Sequence, residues 1–303
     1  MAILEPLPRP LPGLKECLAG VDRHNLVNAL VAWLFAISGP VVIILAVGRQ
    51  GGLAPGDLSS WVFAAFGFGG LLTMSYSYLF RQPIAIMWTI PGAVLVGGAL
   101  PHLTFAEVIG AYLVCGVLLA FLGVTGLVRK IMAAIPMPIV MAMVAGVFLP
   151  FGLNIIKAFD EATVMAIVMV AAFAIPTALP RLGRVLPPVL CALAAGTAAI
   201  IFSGQMTGVE IPSLAIAEPI LYTPVFTLRA LGELVVPLAV TVIAAQNAQG
   251  FVILRQAGFE PPENSLTVTC GLGSLVFGIF GSVPTCVTGP ANAILNSKGA
   301  TER

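Results

Sequence analysis

"TIPGAVLVGGA", Thr89–Ala99, and "TGPANAILNSK", Thr288–Lys298, decide how this chain is read. Each has a threonine, one residue, a proline and then small, apolar residues. The runs that lead into the prolines, Ile84–Ile90 after Pro83 and "SVPTCVTGP", Ser282–Pro290, favour extended backbone through their Ile, Val, Thr and Trp residues. Proline suits the first turn of a helix, where its missing N–H costs nothing. An extended stretch followed by a half-helix starting at Pro91, and the same again at Pro290, is the expected local structure. Inside a membrane such backbone is tolerated only where it is buried in protein or lines a cavity. Two half-helix starts facing each other would each offer partial positive charge and several free N–H groups, which suits a carboxylate. The bland alternative is a pair of ordinary proline kinks.

The setting is a membrane. Of 303 residues, 59% are hydrophobic and 9% are charged, where a soluble domain carries about 25% charged residues. A net charge of +1 and Lys and Arg scattered in ones and twos exclude a nucleic-acid partner. Cys17, Cys115, Cys191, Cys270 and Cys286 form no CxxC pair and read as small buried hydrophobes. No Ser-His-Asp set, metal-ligand cluster or Walker motif is present, so neither an enzyme nor a cofactor or metal site is expected. The first twenty residues mix prolines and charges and have no cleavable signal pattern.

Ten membrane segments follow from hydropathy: 26–48, 58–80, 84–100, 105–128, 137–156, 161–179, 186–203, 228–250, 265–281 and 283–297. The connection 204–227, with "EIPSLAIAEPILYTP", is expected to lie across the surface or to form short strands. With the N-terminus cytoplasmic, Arg9, Lys15, Arg23, Arg81, Arg129, Lys130, Arg181, Arg184, Arg255, Lys298 and Arg303 are all inside. Only Arg49, Lys157 and Arg229 of the 14 basic residues are then outside. Segments one and eight point in opposite directions in this topology. The prolines Pro40 and Pro237 are 197 positions apart and Pro91 and Pro290 are 199 apart. Both facts fit two inverted repeats, an arrangement common in secondary transporters.

At "AVTVIAAQNAQGFVILRQAGFEPP", Ala239–Pro262, and "FGIFGSVPTCVTGPANAI", Phe277–Ile294, the chain resembles the benzoate/proton symporter family of bacteria. The likeness starts at "PGLKECLAGVDRHNLVNALVAWLF", Pro12–Phe35, and runs to the end. The "FGSxP" portion, Phe280–Pro284, is shared more widely with nucleobase and sulfate-type transporters. The resemblance implies an all-α integral membrane protein of two inverted sevens, with half-helices and short strands in segments three and ten. It implies a core domain that moves against a gate domain like an elevator. On this pattern residues 1–130 are first-repeat core segments one to four, and 131–204 are gate segments five to seven. Residues 205–227 are the connecting loop, and 228–303 are second-repeat core segments eight to ten. Fourteen spans need roughly 380 residues, so the last segments are expected to be missing from this chain.

The implied function is import of an aromatic carboxylate, most simply benzoate, by proton symport across the bacterial inner membrane. A nucleobase or inorganic-anion permease of the same fold, or an anion channel, is the alternative. A homodimer is compatible with these readings. The acidic residues that related nucleobase transporters carry in segments eight and ten match Gln246 and Pro290 here, which fits an anionic substrate. Candidate substrate-binding residues are Gln246, Asn247 and Gln249 in segment eight. Thr89, Pro91 and Gly92 form the first half-helix start, and Thr288, Gly289, Pro290 and Asn292 the second. Ser38, before Gly39-Pro40, and Trp88, in the extended stretch, complete the set. Thr89 and Thr288 are either helix caps or ligand contacts, and Asn292 is either a ligand contact or a helix–helix contact. Glu107 and Glu233 read as interface carboxylates, one of which could relay a proton. His24 and His102 are expected to do no chemistry.

Overall fold

Charge-free apolar runs become helices in lipid because the backbone must there satisfy its own hydrogen bonds. The computed structural model describes residues 4–8, 11–13, 15–16, 21, 23–134, 137–179, 183, 188–204 and 217–297. Cys17, the loop cations Arg9, Arg181, Arg184, Lys298 and Arg303, the side chains of Arg23 and His24, and residues 205–216 lie outside that description.

The described elements are α1 (Arg23–Gln50), α2 (Pro55–Phe80), β1 (Ile86–Trp88), α3 (Ile90–Ala99), α4 (Phe105–Thr125), α5 (Leu127–Ala134), α6 (Met137–Glu161), α7 (Thr163–Ala178), α8 (Pro188–Phe202), α9 (Leu228–Gln256), α10 (Glu263–Ile279), β2 (Thr285–Val287) and α11 (Gly289–Leu295). Among the described residues α1, α2, α4 and α9 are long and apolar enough to cross a membrane. Their outward faces are apolar as well, with Trp33, Val42, Leu71, Met74, Val117 and Phe121 all exposed.

Local chemistry sets the ends. Thr104 and Glu107 form a reciprocal capping box at the start of α4, in which Glu107 Oε2 accepts the Thr104 N–H at 2.9 Å. Thr227 caps α9 by accepting the Ala230 N–H, and its hydroxyl donates to Glu107 Oε1 at 2.9 Å. The helix α2 ends at Arg81, the one described non-glycine residue with positive φ, at 55°. The chain there turns back on itself. Among the described residues three π-helical turns interrupt the α-helices: Ala64–Phe68 in α2, and Leu231–Val235 and Thr241–Asn247 in α9.

The chain divides into two compact units, residues 1–141 with 217–303, and residues 142–216. In the first, α4 and α10 pack through small residues, as membrane helices do. A Cβ on Gly271 would lie 2.3 Å from the Ala120 nitrogen, and one on Gly116 would lie 2.9 Å from the Gly271 carbonyl oxygen. The segment 217–227 runs extended over the ends of these helices, with Tyr222 N–H donating to the Ile279 carbonyl and Val225 N–H to that of Ala106. It carries no strand, so the surface-crossing expectation is the one met in these residues. In the second unit α7 packs on α8, where Gly196 leaves room for the Met169 side chain.

Candidate substrate site at the crossed ribbon

The two proline segments meet in the first unit. β1 and β2 pair antiparallel with Ile86 opposite Val287, Met87 opposite Cys286 and Trp88 opposite Thr285. The pairing extends by one bond at each end, Thr89 N–H to the Pro284 carbonyl at 3.0 Å and Thr288 N–H to the Ala85 carbonyl at 3.3 Å. The helices α3 and α11 therefore leave the ribbon from opposite ends. At about 3.4 Å per residue along a strand, their starts lie roughly 14 Å apart. Pro91 and Pro290 fall in the first turns of α3 and α11, so half-helices after extended backbone, and not simple kinks, occupy both positions.

Buried polar side chains hold the ribbon. Asn292 Oδ1 accepts the Ala85 N–H at 2.9 Å, while its Nδ2 donates to the carbonyls of Ala85 at 3.0 Å and Thr288 at 2.7 Å. Asn247 Oδ1 accepts the Val287 N–H at 2.8 Å, and Ser274 Oγ accepts that of Thr285 at 2.9 Å. Gln246 Oε1 accepts the Gly289 N–H at 3.4 Å. The π turn ending at Asn247 widens the helix just where these neighbouring amides must reach two points of one extended chain. Helix α9 also lies directly against β2 and α11. A Cβ on Gly250 would meet the Val287 carbonyl oxygen at 2.6 Å, and one on Gly289 would meet Gln249 Oε1 at 2.1 Å.

The candidates thus divide. Gln246, Asn247, Gln249, Thr89, Pro91, Gly92, Thr288, Gly289, Pro290, Asn292 and Trp88 gather at the ribbon and the starts of α3 and α11. Thr89 caps α3, its Oγ1 accepting the Gly92 N–H at 3.2 Å. A Cβ on Gly92 would press on that same threonine methyl. Thr288 makes no side-chain cap. Asn292 proves to be a clamp on backbone. Ser38 is exposed on α1 and its hydroxyl donates to the Phe35 carbonyl.

Fewer free N–H groups remain than the sequence led us to expect. Pro91 has none, Gly92 and Ala93 donate to Thr89, and Gly289 donates to Gln246. The protein spends its first-turn donors on holding its own ribbon. The buried polar atoms without a hydrogen-bond partner among the described residues include two among the site candidates, Trp88 Nε1 and Gln249 Oε1. The Trp88 ring packs on Phe66 with centroids 4.8 Å apart and is 1% exposed. Such orphaned groups each cost about 1–3 kcal/mol, so they are where a bound polar molecule would be compensated.

No Asp or Glu occurs in 83–99, 236–256 or 282–297, which leaves the ribbon without a carboxylate of its own. The two carboxylates singled out in the sequence, Glu107 and Glu233, sit near the starts of α4 and α9. Glu107 caps α4, and Glu233 accepts from His102 Nε2 at 2.8 Å in an exposed pair. The sequence reading missed Ser274, Thr73 and Ser77, whose hydroxyls bond the outer edges of the two strands. A hydroxyl pattern at helical spacing opposite the extended runs was the available signal.

Comparison with known proteins adds the family. The model of the family described as "Benzoate membrane transport protein" matches residues 20–302. "Inner membrane protein YdcO" of Escherichia coli (strain K12) is 28% identical over 287 residues, 93% of this chain and 71% of that protein. "Benzoate membrane transport protein" of Acinetobacter baylyi (strain ATCC 33305 / BD413 / ADP1) is 24% identical over 279 residues, 91% of this chain and 69% of that protein.

Proposed function

The chain belongs to the BenE family of benzoate membrane transport proteins, and on that premise we propose that it is a secondary transporter importing an aromatic carboxylate, benzoate before others, together with a proton. Family membership is the observation that carries this reading. The site chemistry supports it. The carboxylate of the substrate would lie by one of the two half-helix starts, that of α3, where the partial charge is positive. The Trp88 indole N–H, two residues ahead of α3, is a donor without a partner. The absence of Asp and Glu from the ribbon segments removes the repulsion an anion would meet. The Trp88 and Phe66 rings supply an apolar wall for an aromatic ring.

In this reading α1–α4 and α9–α11 belong to a core built of two inverted halves, and α6–α8 belong to a gate. The core carries the occupied ribbon across the membrane by an elevator motion. The division of the chain at residues 142–216 agrees with such a split. The N-terminus is cytoplasmic and the membrane is the bacterial inner membrane, as the loop charges and the bacterial relatives favour.

The test is uptake into proteoliposomes. Saturable benzoate accumulation driven by an acidic exterior, and collapsed by a protonophore, is the expected result. Uptake of uracil or sulfate without benzoate would overturn the substrate assignment. A non-saturating current without proton movement would replace the transporter by a channel.

A further inference from the structure

The outer edge of β1 is bonded by the side chains of a helix. Thr73 Oγ1 donates to the Ile86 carbonyl at 2.8 Å and accepts the Ile86 N–H at 3.0 Å. One turn further along α2, Ser77 Oγ donates to the Ile84 carbonyl at 2.9 Å and accepts the Ile84 N–H at 3.1 Å. Each hydroxyl therefore satisfies both backbone groups of one strand residue, which uses its single donor and one of its two acceptor sites. The spacings match. Four helical residues rise about 6 Å, and two strand residues advance about 6.7 Å. The reversal at Arg81 makes β1 run back along α2, so consecutive rungs on the helix meet alternate residues on the strand. Ile84 and Ile86 are both fully buried. Removing the Thr73 rung would strand the Ile86 N–H and C=O away from water, while at the Ser77 rung the Ile84 N–H would keep the Gln82 carbonyl at 2.9 Å and only the Ile84 C=O would lose its side-chain partner.

We propose that Thr73 and Ser77 are positioning residues of the substrate site, a hydroxyl rail that sets the height of β1 and, through it, the placement of Trp88 and of the start of α3. The proposal rests on the reading of the crossed ribbon as that site. The two strands are fixed from opposite sides by independent helices. α2 holds β1 through its hydroxyls, while α9 and α10 hold β2 through Asn247 and Ser274. The separation between the two half-sites is therefore set jointly by these supports. β1 runs into Trp88 and Thr89 with no linker to absorb a displacement. The rail also stops before the tryptophan. One turn before Thr73 stands Gly69, whose missing side chain leaves the α2 backbone beside Met87 with no hydroxyl to offer.

The experiment compares Thr73→Val, Ser77→Ala and Thr73→Ser in proteoliposomes, with hydrogen exchange measured on the same preparations. Thr73→Val should raise the benzoate KM about tenfold while Vmax changes far less. It should also alter the ratio of KM for benzoate to KM for a para-substituted benzoate. Thr73→Ser, which keeps the hydroxyl, should restore both. In Thr73→Val exchange should accelerate at Ile86 and extend to Met87–Thr89. A variant with faster exchange but unchanged KM and substrate ratio would show that the hydroxyls only hold the strand, and the proposal would fall. Equal damage from Thr73→Ser would overturn it too. If Thr73→Val does not fold, Ser77→Ala carries the same comparison at the far rung. If the unmodified chain carries no benzoate, the functional reading fails by itself. Exchange in Thr73→Val then decides the positioning claim, which is refuted if Ile86 alone responds.

Discussion

Asn292 sits between the strands much as a peptide group would, accepting from Ala85 N–H and donating to the carbonyls of Ala85 and Thr288. Its side chain is fully buried, so alanine there would leave the Ala85 N–H without the oxygen it now meets. The carbonyl of Ala85 would keep the Thr288 N–H. Stranding one buried backbone donor costs about 1–3 kcal/mol. Gln246 is different, with one acceptor contact to Gly289 at the long distance of 3.4 Å. Asn292→Ala should therefore lower the thermal midpoint in detergent and reduce uptake together. Gln246→Ala should reduce benzoate affinity with a midpoint close to that of the unmodified chain. The reverse ranking in the same two assays would move Asn292 into the ligand shell and Gln246 into the scaffold. Asn292 stood out in the sequence as a polar residue in the first turn after Pro290. Its partner did not, because Ala85 is 207 positions away and offers only backbone atoms.

At the scale of elements, the proline-interrupted segments were legible because two local signals coincide in each, β-favouring residues and then proline in a first turn. The helices were legible from hydropathy, and their bounds fall within a few residues of those expected, except that α6 continues to Glu161, α9 continues to Gln256 and α5 is a separate short helix that the ten segments did not include. The π turns were not legible. They change which face of α9 meets the ribbon without changing the hydropathy of the segment. The pairing of β1 with β2 was not legible either, since three-residue strands have no periodicity to read and their register is set by side chains on α2, α9 and α10. Close packing of α9 on β2 makes a sharp prediction. A methyl group at Gly250 must displace the Val287 backbone, which lies 2.6 Å from where the Cβ would stand. Overpacking of this kind costs about 1–3 kcal/mol, and here it would also move β2 against β1. Gly98, at the exposed end of α3, has nothing within 4 Å. Gly250→Ala should lose thermal stability and transport, whereas Gly98→Ala should keep both, with a small gain from helix propensity. Equal behaviour of the two variants would refute a close contact between α9 and β2.

Across the whole molecule, the ends of distant segments are joined by one chain of charges. Glu5, ahead of the first helix, reaches the start of α10. Its carboxylate accepts the N–H groups of Asn264 at 3.0 Å and Ser265 at 2.8 Å, and the Ser265 hydroxyl at 2.7 Å. Arg129 donates to Glu5 at 3.0 Å and lies 3.6 Å from Glu263, which is buried and also bonds Arg255. A carboxylate at a helix N-terminus is stabilised by the partial positive charge there. Partial burial pushes the Glu5 carboxyl up, but the bonds from Ser265 and Asn264 outweigh it and hold the group below its ordinary value of 4.5. The sign follows from linkage. A group whose folded value is depressed contributes stability that is complete above the unfolded value and is lost as pH falls through the folded one. Glu5→Gln should therefore lower the thermal midpoint by a constant amount from about pH 6 to pH 8. The gap between variant and unmodified chain should narrow as pH falls below about 4. Raising the salt concentration at neutral pH should shrink only the Arg129 part of the gap, because that arginine is more than half exposed. A gap that persists unchanged into acid would mean that Glu5 contributes nothing as an anion, and that the first residues are held to α10 by packing alone.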